Sequence, residues 1–187
     1  KRIHHRTGLA RFADAYALTR DAARRQGLAL PAAAAPPVLL AGLARVLARM
    51  GRRTPEELGR LPVMTDARAK ATMGLLAAGM EAAYQVRPEL CVIVANEAVD
   101  LSLKHGNTME SALGYMVHGA IFRGGVMGRR RTGRDFGKLA LDLVERFDAG
   151  PFRAEVSFVV GYFATSWLAP ATDAEALWER AYAAGLA

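Results

Sequence analysis

Two stretches of this chain have residue types at spacings that handle phosphate or metal. Gly128-Arg129-Arg130-Arg131-Thr132-Gly133 has the glycine spacing of a phosphate-binding loop. In such a loop, backbone N–H groups wrap a phosphate while a following lysine and hydroxyl reach phosphate and Mg²⁺. Here Arg134 and Asp135 stand where that lysine and Ser/Thr belong, and the residues before the loop have a helical rather than a strand pattern. The phosphate reading is therefore set aside. Asp135-Phe136-Gly137 matches the metal-binding triplet of kinases, but Phe136 falls on the apolar stripe of a helix. No glycine-rich loop or catalytic-loop motif accompanies it, so the match is read as chance.

The other chemistry-bearing side chains are dispersed. His4 and His5 are adjacent and point in different directions, while His105 and His118 fall near a helix end and inside a helix. A lone histidine in such a place is a structural or surface residue far more often than a ligand. Cys91 is the only cysteine, which excludes an intramolecular disulfide and a multi-cysteine zinc site. It reads as buried and inert. Asp100, Glu110 and Glu145 have basic neighbours or capping positions. None sits with a second carboxylate in apolar surroundings, as acid–base catalysis would need. The sequence therefore reads as non-enzymatic, with no cofactor or metal.

Arg129-Arg130-Arg131 is the one concentrated run of charge. Its bland reading is a solvated loop between helices, and its sharper reading is a partner-docking patch for an acidic or phosphate-bearing surface. The net charge is +7, yet lysine occurs only at 1, 70, 104 and 138, and the arginines scatter over most helices. No three-helix unit shows a recognition helix with clustered basic and amide side chains, so nucleic acid is not an expected partner.

The elements that must position these groups are helices. Hydrophobic residues make up 52% against 23% charged, a globular balance. Abundant alanine with few β-branched residues favours helix. Apolar periodicity and terminal signals predict a helix from about Thr7 to Gln26 stopped by Gly27, and one opened by Pro36-Pro37 and ended by Gly51. Thr54-Pro55-Glu56-Glu57 predicts a capped turn, and Thr65 or Asp66 caps a long helix to Val86. Pro88 opens a helix that ends at Gly106, and Asn107 with Glu110 has the spacing of a capping box for the next. Thr132 is read as the cap of a helix carrying Phe136, Leu139, Ala140, Leu143 and Phe147. Phe136, Leu143 and Phe147 are expected to face the helix of Phe152, Val156 and Val159. Val156–Phe163 also suits a strand, but the preceding Gly-Pro favours helix. Thr172 with Glu175 opens the last helix, which carries Trp178 and Tyr182.

Short links at 106–107, 149–151 and 169–171 fold such helices into antiparallel hairpins. Glycines inside helices, among them Gly79, Gly119 and Gly161, suit close helix–helix approach. The expected fold is all-α, a stack of helical hairpins of tetratricopeptide-like solenoid type. Residues 1–187 form a single repeat segment with a subdivision near 51–64. No apolar run approaches the roughly 20 residues a membrane span needs. Together with the lone cysteine, this leads to the expectation of a soluble, cytoplasmic protein.

Three ordered stretches carry a family resemblance. They are Gly27-Leu28-Ala29-Leu30-Pro31 followed by Leu58 to Asp66, Val99 to Asn107 with Ser111, Ala112 and Tyr115, and Phe136 to Leu141 with Glu145-Arg146-Phe147. They resemble the helical region of very large bacterial signalling proteins that carry a Ser/Thr kinase-like domain, an AAA-type ATPase and often a sensor histidine kinase. The resemblance implies a tetratricopeptide-like linker between the ATPase and the downstream sensor and output domains. It carries over no nucleotide-binding or phosphotransfer residue. Where the family often has an acidic turn-forming loop, this chain has the basic stretch Val126 to Arg131. The expected function is a non-catalytic scaffold or transmitter that contacts flanking domains or other proteins. The alternative is the sensor arm of an ATP-dependent transcription regulator. Trp178 and Tyr182, one turn apart near the end of the sequence, also lead to an expectation of self-association.

Overall fold

A computed structural model describes residues 11–165 and 171–186, and every regular element in them is helical. The opening turns around Leu9, the histidines at 4 and 5, the link at 169–170 and Trp167 lie outside the described residues. The chain divides into two compact units, one of residues 1–51 and 62–106, the other of 52–61 and 107–187.

The first unit holds α1 (Phe12–Arg25), α2 (Pro36–Met50), α4 (Ala67–Val86) and α5 (Pro88–His105). Its helices pack in the order α1, α4, α5, α2, so the sequence neighbours α1 and α2 are not the packing partners. In α5, Leu90, Val94, Ala95 and Val99 are buried together with the polar Asn96, Asp100 and Ser102. A helix buried on most of its circumference belongs at the centre of its unit. The connector after α1 is held by Tyr16, whose hydroxyl donates to the Pro31 carbonyl at 2.9 Å, and by Arg20 Nε, which donates to Leu30 at 3.2 Å.

Helix ends in this unit follow the sequence signals. Asp66 accepts from the Ala69 N–H at 2.7 Å as the cap of α4, and Pro88 sits in the first turn of α5. Gly106 ends α5 with φ 98° and ψ −179°, a conformation that glycine alone adopts without strain. A Cβ there would also stand 2.2 Å from the Pro62 carbonyl oxygen. Charge ties α2 to α5. Arg45 pairs with Glu97, and Asp100 pairs with Arg49 at 2.6 Å and Lys104 at 2.5 Å. Burial alone would raise the Asp100 pKa. The hydrogen bonds from Lys104 and Arg49, with their charges, outweigh that and hold it below the ordinary carboxyl value.

The second unit holds α3 (Pro55–Gly59), α6 (Ser111–Tyr115), α7 (Arg130–Arg146), α8 (Gly150–Val160) and α9 (Ala171–Gly185). α6 runs on without a break into a π-helical segment, Met116–Val126, and α8 into another, Gly161–Thr165. The Val156–Phe163 stretch is therefore helical. From α6 onward, consecutive elements pack on one another, and α3 lies on α7. Thr54 and Glu57 form the reciprocal capping box of α3.

Three sequence expectations are corrected here. Asn107 does not cap α6, which starts at Ser111. Its side chain is buried, donates to the Leu58 carbonyl at 2.8 Å and accepts from the Tyr115 hydroxyl at 3.4 Å. A buried amide with partners at both ends gains more there than at an exposed helix start. Thr132 lies inside α7, whose cap position is Arg129. Phe147 is half-buried, with the Arg146 guanidinium over its ring at 5.0 Å. Phe136 is buried against the preceding helical segment. A Cβ on Gly119 would meet its Cγ at 2.1 Å, and Tyr115 and His118 pack on its ring at 6.1 and 5.7 Å between centroids. The interior glycines Gly79, against Thr19, and Gly161, against Trp178, similarly permit close approach.

Candidate functional site

The candidate patch Arg129-Arg130-Arg131 occupies the link between the π-helical segment and α7 and the first turn of α7. The segment closes with the Met127 N–H donating to Phe122 O at 2.9 Å and the Arg129 N–H donating to Arg123 O at 3.0 Å. Gly128 makes the turn with φ 69°. Across the hairpin the backbones nearly touch, since a Cβ on Gly124 would stand 2.6 Å from the Gly133 Cα. That approach fixes where α7 begins.

The first turn of α7 has no side-chain cap and no acidic residue, although the positive end of a helix favours anions. Arg130 and Arg131 stand there instead. Arg134 follows one turn later, on the same face as Arg130. Arg123 adds a fifth guanidinium. It is half-buried, its guanidinium lies 5.4 Å from the Phe136 ring centroid, and burial first, then the Arg129 charge, lowers its pKa. None of Arg123, Arg129, Arg130, Arg131 and Arg134 forms an ion pair among the described residues. Some of the other arginines are engaged: Arg45 and Arg49 on carboxylates, Arg153 on Glu145 and Asp148, and Arg146 on the Gly59 and Leu61 carbonyls. Beside the free guanidinium groups stand Val126, 72% exposed, and Met127, 44% exposed. The result is a corner with a small apolar tip and a basic rim.

The sequence run alone shows Arg129 to Arg131. Arg134 was legible from its four-residue spacing to Arg130, whereas Arg123 needed the hairpin to bring it in. The remaining candidates are dispersed in the structure as in the sequence. Asp135, Phe136 and Gly137 are interior to α7, His105 is exposed at the end of α5, Cys91 is buried in α5 and His118 is buried in the π-helical segment. Burial, and then Arg123, pull the His118 pKa down to about 3, so its imidazole is neutral. No group of three or more His, Cys, Asp or Glu among the described residues could hold a metal ion.

Two grooves were not foreseen from sequence. In the second unit a groove of about 580 Å³ lies between α3 and α7, with Leu139 and Leu143 as floor and Glu56, Asp142, Lys138 and Arg60 on its walls. In the first unit a groove of about 290 Å³ is lined in part by Asp66, Arg68, Asp100 and Lys104. Both mix charges of opposite sign, and neither gathers several unpaired groups of one sign as the arginine corner does. No helix among the described residues is long and apolar enough to cross a membrane. In comparisons with protein-family models, curated proteins and solved structures, the chain matches none.

Proposed function

We propose that this chain is a helical-repeat scaffold or transmitter segment, without catalysis of its own, in a cytoplasmic signalling protein. That parent would carry an AAA-type ATPase and kinase-type modules, and the segment would contact its flanking domains or other proteins. The observation that carries this reading is the run of sequential helical packing from α6 to α9, with an unpaired basic corner at its first hairpin. Sequential hairpins of tetratricopeptide-like kind couple neighbours mechanically and present side-chain surfaces rather than enclosed sites. The ordered sequence motifs supply the parent class, and the corner supplies the contact surface.

The coding sequence on either side of the chain tests the parent class. An upstream nucleotide-binding Walker motif is the expected result. A downstream helix-turn-helix without kinase-type modules would replace this reading with the sensor arm of an ATP-dependent transcription regulator.

A further inference from the structure

We infer that the arginine corner of the second unit is a docking surface for an acidic protein segment, a stretch rich in Asp and Glu with an apolar side chain that seats on Val126 and Met127. This deepens the scaffold reading and rests on it.

Charge complementarity identifies the occupant. Arg123, Arg129, Arg130, Arg131 and Arg134 crowd like charge around a helix start and have no carboxylate partner among the described residues. Crowding of this kind is relieved by carboxylates brought from outside, because guanidinium groups take them in bidentate pairs. An apolar centre with a charged rim is the anatomy of a protein–protein contact, in which Arg and Met are over-represented. Val126 and Met127 provide that centre, and the closely crossed Gly124 and Gly133 hold it in place.

The same details argue against other polyanions. Residues 126–132 include no aromatic residue on which a base could stack, and the nearest ring in sequence, Phe122, is half-buried. Its apolar part is two residues, far short of the wide apolar face with which interfacial helices enter a bilayer. The Arg123 guanidinium lies over Phe136, and the backbone of α7 sets where Arg129 to Arg131 start, which suits carboxylates at defined positions more than a diffuse layer of headgroups.

The test is a titration of the full chain with a fluorescent synthetic peptide of Glu, Asp and Leu, beside a control peptide with Gln and Asn in place of the acids. Saturable binding of the acidic peptide alone is expected. The combined change Arg129→Glu, Arg130→Glu and Arg131→Glu should weaken it by about tenfold or more, because each reversal turns attraction into repulsion. The Arg→Gln set should weaken it less, and Val126→Ser with Met127→Ser should weaken it without changing its salt dependence. These positions are exposed, and an unchanged helical circular-dichroism spectrum establishes that each variant is folded. Equal binding by the wild-type and charge-reversed chains overturns the inference. So does preferential binding of duplex DNA or of phosphatidylglycerol vesicles over the peptide. A failed titration combined with an upstream Walker motif rejects the acidic partner and leaves the scaffold reading standing.

Discussion

Phe136→Ala should destabilise the second unit by about 3–5 kcal/mol, the range for deleting a buried phenyl group and leaving a cavity. Phe136 is 2% exposed and fills the space opened by the missing Cβ of Gly119, between Tyr115, His118 and the Arg123 guanidinium. Alanine there removes the ring on which two helices close, and the glycine opposite has no side chain with which to refill the void. Phe147→Ala should cost about 1 kcal/mol, because that ring is only half-buried and one face is covered by the Arg146 guanidinium rather than by core side chains. Guanidinium denaturation of the two variants compares them directly. Equal losses would mean that the apolar stripe of α7 is not divided between a keyed phenylalanine and a peripheral one.

Acid should destabilise the second unit as pH falls below 6.5, before ordinary carboxylates begin to protonate. His118 is buried and neutral, with its pKa lowered from 6.5 to about 3. Between those values the unfolded chain binds a proton that the folded chain does not, so stability falls as pH falls. The slope is about 1.4 kcal/mol per pH unit, or on the order of 3 kcal/mol lost between pH 6.5 and 4. Asp100 acts in the same direction in the first unit but lower on the scale. Its depressed pKa contributes stability that is present above the ordinary carboxyl value and lost as pH falls through the folded one. Denaturation midpoints at pH 7, 5 and 4 should therefore drop steeply for the wild type. In His118→Leu, which has no proton to take up, the drop should be shallower, whatever its stability at neutral pH. Parallel pH dependence in both proteins would contradict a neutral buried imidazole.

The helices were legible because their ends are marked by local chemistry. Thr54 with Glu57, Asp66, Pro88, Gly51 and Gly106 all act where their residue types place them. Asn107 and Thr132 carried the same kind of signal and were overridden. Asn107 found buried partners in Leu58 and Tyr115, and α7 began at Arg130, a turn set by the Gly124–Gly133 crossing. Local pattern cannot register such tertiary competition. The π register of Met116–Val126 was illegible for a related reason. Its apolar residues recur much as in an α-helix, so their spacing does not mark the wider turn. Packing order was the least legible feature. Short links led to hairpins of sequence neighbours, which holds from α6 to α9, yet in the first unit α1 packs on α4 and α2 on α5. Within the stretch near 51–64 that was read as a subdivision, residues 52–61 belong to the second unit. Within the candidate site, the arginine run was visible, while Arg123 and the exposed Val126–Met127 tip needed the fold.

We propose that this chain relays contacts and performs no nucleotide chemistry, even though its arginine run has the glycine spacing of a phosphate-binding loop. Calorimetric titration of the isolated chain with ATP and Mg²⁺ tests it most directly. The account predicts no saturable binding at micromolar concentrations, only the weak, salt-sensitive heats of a basic surface meeting a polyanion. Saturable micromolar binding that disappears when Arg129, Arg130 and Arg131 are changed to alanine would contradict it and make Gly128–Gly133 a nucleotide site.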